Sequence, residues 1–381
     1  MYTAKRPFLR PAIFILILTS IFLAACSGGI ANTNWPGLST DGKRIYIAYG
    51  PGVIAYDVEK QTQVWSFPEE PNRTLQFYAA PSVQNGRIII GDYGASGGMF
   101  SPGVIASIYA LQDTDSSSPE LLWQQDGLAQ DHIVAPPLQV EDTVYVGTAD
   151  NKLLALDANT GSLQWQYELE NSVWAQPAYK NGIVYVASLD KAVHAVDAQS
   201  GNRIWRQELQ GAIASQPVVD SGLIYVSSFD GKVHALDEET GQEKWAAEAE
   251  NWVWGAPALN GDTLYYADID GNVYAVTADS GERLWVQQVE GAVTASPIVV
   301  NDTLYIVSEG NKETGQGVLS ALDVTNGQVK WQKTTPAPLF ATPVVVDNVI
   351  VVAMQSEQAL LMAFDLVTGG QQWAFLPAAS E

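Results

Sequence analysis

The chain repeats itself with a fixed period. The stretch VYVGTADNKLLALDANTGSLQWQYEL (144–169) returns as VYVASLDKAVHAVDAQSGNRIWRQEL (184–209), as IYVSSFDGKVHALDEETGQEKWAAEA (224–249) and as LYYADIDGNVYAVTADSGERLWVQQV (264–289). Such a period restricts the fold to near-identical units packed side by side. Each copy holds two short runs of alternating apolar and polar residues, such as Val184–Val186 and Val193–Val196, which is the pattern of half-buried strands. Between them stands turn chemistry that tolerates positive φ: Asp150-Asn151, Asp230-Gly231, Asp270-Gly271. The second strand ends in Asp-x-x-x-Gly-x-x-x-Trp, as in Asp157, Gly161 and Trp165, where Asp caps a turn and Trp opens a third strand. A Pro with small neighbours (Pro177, Pro217, Pro257, Pro297) precedes each unit and opens one more strand. Four antiparallel strands in about forty residues make one propeller blade.

The tryptophans count the blades. Trp65, Trp123, Trp165, Trp205, Trp245, Trp285, Trp331 and Trp373 hold one register, which predicts an all-β fold: an eight-bladed β-propeller of four-stranded blades. These eight indoles are expected to be buried anchors between blades. A fully buried indole removes roughly 150–250 Å² from water, or about 4–6 kcal/mol as an upper estimate.

Blade 1 has Gln61-Thr62 where later copies have Thr-Gly, and Thr277 replaces the motif Asp in blade 6. Gly91–Gly103 lengthens the turn between the second and third strands of blade 2, and Glu309–Gly317 lengthens the same turn in blade 7. Asp113–Pro119 lengthens the next connection of blade 2. The two larger inserts are expected on one face, with the blade-to-blade loops.

The amino end reads differently. Lys5, Arg6 and Arg10 precede an apolar run from Ala12 to Leu23 that closes in Leu23-Ala24-Ala25-Cys26, the form of a secretory signal. The predicted organisation is a signal peptide over 1–25, a tether over 26–34 and the propeller over 35–381. The box Leu23–Cys26 resembles a bacterial lipoprotein signal, which implies cleavage before Cys26 and lipid on its sulfur, hence a membrane anchor. Cys26 is the sole cysteine, so no disulfide is available. Ser27 stands where an Asp holds some lipoproteins at the inner membrane, which favours the periplasmic face of an outer membrane in a host that has one.

Removing residues 1–25 takes three basic groups and no acidic ones, so the net charge goes from −23 to −26. A surface this acidic repels nucleic acid and anionic headgroups. It suits either general solvation or cationic partners.

Three residues before each blade-opening Pro the chain reads Tyr78, Val134, Trp174, Ala214, Trp254, Thr294 and Phe340. Large aromatics alternate with small residues. Tyr78, Trp174, Trp254 and Phe340 are therefore candidates to ring the channel mouth, either as a hydrophobic plug or as a partner-binding site. No enzymatic constellation is visible. His194 and His234 share a strand position held elsewhere by Leu154 or Tyr274, which reads as packing, and His132 lies alone in a loop. The segment Asp268–Asn272 lacks the spaced Gly and terminal Glu of a calcium loop, and no residue is assigned to a metal.

The unit VYVxSxDGxVxALDxxTGxxxW resembles the pyrroloquinoline-quinone-like (PQQ-like) propeller repeat over about residues 35–376. The motif is specific for the fold and not for the cofactor. In size, lipobox and blade count the chain is similar to the eight-bladed lipoprotein family of the outer-membrane β-barrel assembly machinery (BamB-type). That resemblance implies a non-enzymatic, cofactor-free extracytoplasmic scaffold that binds protein partners or a surface polymer. In that family the amino-terminal segment adds an outer strand to the last blade, whereas here the last blade owns its Trp373 strand. The alternative is a quinoprotein dehydrogenase holding PQQ and calcium. Those enzymes are longer and commonly carry an adjacent Cys pair, which this chain lacks.

Overall fold

Alternating sequence becomes sheet throughout: the computed structural model describes residues 36–70, 72, 74–96 and 104–377, all strand, turn or loop, with no helix among them. Residues 1–25, expected to form a signal peptide, and Cys26 and Trp35 lie outside the described residues. Residues 34–381 form one unit. Its strands group into eight antiparallel blades in chain order.

The inner strands are short, as in Gly37–Thr40, Ala178–Lys180 and Val344–Val346. Second and third strands are almost wholly buried, as in Ile183–Ala187 and Ala192–Asp197. Outer strands such as Arg203–Glu208 are largely exposed. A one-residue register shift recurs just ahead of each Trp, for example between Ala155 and Leu156, and such a bulge sharpens local twist. Hydrophobic clusters form between neighbouring blades. One unites Tyr185, Val193 and Ala195 of blade 4 with Ile224, Val226 and Leu236 of blade 5.

The tryptophans act at those joints through hydrogen bonds as well as through area. Trp123 Nε1–H donates to Ala158 O at 2.9 Å, and Trp165 does the same to Ala198 O at 3.0 Å. Trp205, Trp245, Trp285 and Trp331 reach Glu238 O, Ala278 O, Val324 O and Leu366 O at 3.0–3.2 Å. Each acceptor is the residue after the motif Asp (Thr277 in blade 6) of the next blade. That Asp folds the turn by accepting backbone N–H groups, as Asp157 does from Asn159 and Thr160. Burial departs from expectation. Trp65, Trp123 and Trp373 are buried at 1, 8 and 9% exposure, whereas the other five are half-buried. Their outer edges reach the surface, so the full-burial figure overstates them.

A tyrosine in the second strand completes the joint. Tyr225, Tyr265 and Tyr305 O–H donate to the same carbonyls as their blade's Trp, Ala278 O at 3.1 Å, Val324 O at 3.2 Å and Leu366 O at 2.8 Å. The two lone pairs of one carbonyl thus serve two donors. Between blades 1 and 2 the insert replaces that turn, and Asp113 stands in: its carboxylate accepts Trp65 Nε1–H at 2.7 Å and Tyr46 O–H at 2.9 Å. Arg44 balances the charge, bound to Asp113 at 2.6 Å and to Asp115.

Among the described residues, blades 1 and 8 each supply all four of their own strands and share none. Tyr56 of blade 1 packs on Trp373 and Phe375 at 5.1 and 4.6 Å, and Leu38, Ile45 and Ile47 join Val349, Val351 and Leu361. The register also shifts by one residue from the sequence reading: Gln61, four residues after Asp57, occupies the glycine position at φ 53°.

The glycine of each motif lies on the preceding blade's indole. A Cβ on Gly241 would sit 2.6 Å from Trp205 Cε3 at φ +73°, whereas Gly222, at φ +82°, has open space around it. Gly222→Ala is expected to cost about 1 kcal/mol from backbone strain alone. Gly241→Ala adds overpacking, for roughly 2–4 kcal/mol in all. Urea unfolding checks both; equal losses would mean that the indole does not press on the turn.

Candidate functional site

One face gathers every blade-to-blade loop and every second-to-third-strand turn, because the two are laced together by backbone hydrogen bonds. Val173 N–H donates to Thr148 O of blade 3 at 3.1 Å, and Leu189 N–H of blade 4 donates back to Ser172 O at 3.0 Å. The pattern recurs with Ile213 to Ser188 O, Phe229 to Ala212 O, Val253 to Ser228 O and Ile269 to Trp252 O. Each loop is pinned by one buried apolar residue: Phe77, Ile133, Val173, Ile213, Val253, Val293 or Leu339. The residue after the anchor is the position singled out by the sequence.

Both larger inserts sit at this kind of turn. In blade 7 the hairpin is lengthened through Thr303–Asn311 and Gln316–Asp323. In blade 2 a short strand, Ala95–Ser96, pairs with Val104 and Ile105.

Trp174, Trp254 and Phe340 line a central cavity of about 580 Å³, together with Ala214 and Thr294 at the equivalent positions. Residues of all eight blades contribute to it, from Thr40 in blade 1 to Thr342 in blade 8. Inner strands of neighbouring blades meet here, which makes it the propeller's channel. Tyr78 is not among the residues that line this cavity. The blade 2 insert brings Tyr93 against it with ring centroids 4.5 Å apart, and Tyr93 stacks on His132 at 3.6 Å.

Two aromatics were not legible as site residues. Phe229, in the blade 5 turn, stacks on Trp252 at 5.5 Å and meets Trp254 at 4.8 Å. Trp252 is 50% exposed, more than Trp174 at 39%. The available signal was an aromatic at Phe229, where other blades carry Ala149, Leu189 or Ile269. Glu170, Glu250 and Glu290, at the start of three of these loops, are exposed. The face is therefore aromatic near the channel and acidic at the loop entrances.

His194 and His234 hold hairpin turns. His194 Nε2 lies 3.0 Å from Asp190 and its Nδ1 lies 2.9 Å from Tyr167 Oη. His234 has a carboxylate at each ring nitrogen, Glu243 at 2.7 Å from Nδ1 and Asp230 at 3.1 Å from Nε2. Burial alone lowers the His234 pKa, but the hydrogen bonds and charges of Asp230 and Glu243 outweigh it and hold it above 6.5. The adjoining cavity also carries Glu208 and Lys232. Among the described residues, no group of three or more His, Cys, Asp or Glu is arranged to hold a metal ion.

This geometry defines an eight-bladed PQQ-like propeller with an aromatic-mouthed channel. The family model for the outer membrane protein assembly factor BamB matches residues 106–203 and 189–380. The chain belongs to that family. Among solved structures it is similar to BamB from Moraxella catarrhalis, with TM-score 0.67 and 19% identity over 83% of this chain and 92% of that one. It is also similar to the computationally designed Ika8 protein, with TM-score 0.69 and 15% identity over 90% of this chain and 97% of that one. At these identities the likeness is one of fold. No curated protein matches the chain in sequence.

The raised His234 pKa carries a sign. Its contribution to stability is fully present below the unfolded value of about 6.5 and is lost as pH rises through the folded value. The advantage of the wild type over His234→Leu is therefore expected to shrink as pH rises above about 6.5. Paired unfolding curves check this; an advantage that grows with pH would contradict it.

Proposed function

We propose that the protein is a non-catalytic scaffold of outer-membrane protein assembly, held outside the cytoplasm by lipid on Cys26 and binding protein partners through its loop-and-turn face. The observation that carries this reading is the pairing of family membership with exposed aromatics on a rigid, laced face. Trp174 and Trp252 offer large apolar area at low entropic cost, the usual character of interface anchors. The exposed Glu170, Glu250 and Glu290 suit a partner segment that is apolar at its centre and basic at its edge. Nucleic acid is disfavoured by the net charge of −23.

The residues present do not fit the quinone alternative. A quinone bearing carboxylates needs cationic donors, and calcium needs carboxylate oxygens. Among the described residues, the channel wall contains no Asp, Glu, Lys or Arg.

Photo-crosslinking in native envelopes tests the proposal. A crosslinking residue at the exposed Glu250 is expected to capture defined envelope proteins, and the mature chain to carry acyl mass at Cys26. Trp174→Ala with Trp252→Ala should reduce that capture by about tenfold or more while the melting temperature stays nearly unchanged. Capture unaffected by the double change, or dye-linked alcohol oxidation after adding quinone and calcium, would overturn it.

A further inference from the structure

The channel's chemistry differs from the rest of the molecule. Charged residues make up 16% of the chain, yet among the described residues none lines this cavity. Its mouth carries Trp174, Trp254 and Phe340, and its wall carries hydroxyls and amides, among them Ser296, Thr342, Gln176 and Gln216. Its volume of about 580 Å³ lies within the roughly 300–1,000 Å³ of small-ligand pockets.

Backbone groups along the wall are taken up by the neighbouring blade. Ser296 Oγ accepts the Ala256 N–H at 2.9 Å, and Thr342 Oγ1 accepts the Ser296 N–H at 3.0 Å. Gln176 and Gln139 amides donate to Pro137 O at 2.8 Å and to Ser82 O at 2.9 Å. An added peptide strand pairs with open backbone, so these caps work against it. Ser296 and Thr342 each accept one backbone bond and keep an O–H to donate.

An uncharged wall offers no counter-ion to an acid or an amine, and its hydroxyls and amides are wasted on a hydrocarbon. What matches is a molecule with apolar C–H faces to lie on an indole and many neutral hydroxyls at its edges. We propose that the channel is a binding site for a short neutral saccharide, stacked on Trp254 and Trp174 and hydrogen-bonded to the Ser296, Thr342 and Gln176 side chains. Trp174 is shared with the proposed docking face, but Trp254, Ser296 and Thr342 belong to the channel alone, so the site is tested through them and without any partner.

Tryptophan fluorescence and calorimetry on the purified full chain test it, with maltotetraose, cellotetraose and chitotetraose as neutral probes and tetragalacturonate as the acidic one. At least one neutral probe should bind saturably below about 10 mM, and tetragalacturonate should not. Trp254→Ala should weaken binding by about tenfold or more, and Val367→Ala, at an exposed position outside the cavity, should leave it unchanged. Where Trp254→Ala lowers the melting temperature, Thr342→Asp, which places a charge in the wall, should give the same loss. No saturable binding of any neutral probe overturns the proposal. So does equal binding of tetragalacturonate, or binding that survives both channel variants.

Discussion

At six of the eight joints one carbonyl oxygen, gripped from the neighbouring blade, organises this molecule. An indole N–H reaches it from the third-to-fourth strand side, and where the tyrosine is present a phenol O–H reaches it from the second strand. Ala278 O, receiving Trp245 at 3.2 Å and Tyr225 at 3.1 Å, shows the arrangement plainly. The acceptor is presented by a turn that Asp folds and Gly tightens, and the glycine leaves room for the indole beneath. Sequence period, turn chemistry and inter-blade contact are therefore one device repeated around the ring. The exception at blades 1 and 2 supports this account. When an insert removes the turn, Asp113 offers carboxylate oxygens to the same two donors, Trp65 and Tyr46.

The rigidity of that ring is what makes its two faces different in use. Strand-end loops on one side are laced to the adjoining turns and hold exposed aromatics in fixed places. Packing of Tyr56 on Trp373 and Phe375 joins the first blade to the last, and among the described residues neither blade borrows a strand from the other. The channel stays open at about 580 Å³ because the inner strands are short and their anchors point away from it, into the blades.

Periodicity made the blade count and the tryptophan register legible, since both depend on residues that recur at fixed spacing. What escaped depended on neighbours in space. The tyrosine's share in the joint was invisible because its acceptor lies more than fifty residues away, as with Tyr225 and Ala278. Tyr78 packs against Tyr93 of the blade 2 insert, a contact that no spacing along the chain announces. Trp252 sits two residues from Trp254, outside the repeat register, so a register-based reading passed over the more exposed of the two. Gln61 was placed one residue off because nothing in its side chain announces a left-handed backbone.

The most direct measurement is a double-mutant cycle on one joint, with Tyr225→Phe and Trp245→Phe, singly and together, followed by urea unfolding. While one donor remains, the Ala278 carbonyl stays satisfied, so each single loss should be about 0.5–1.5 kcal/mol. Removing both leaves a buried acceptor without either partner, and the combined loss should exceed the sum by about 1 kcal/mol or more. Strict additivity, or a double variant no less stable than either single one, would contradict the account.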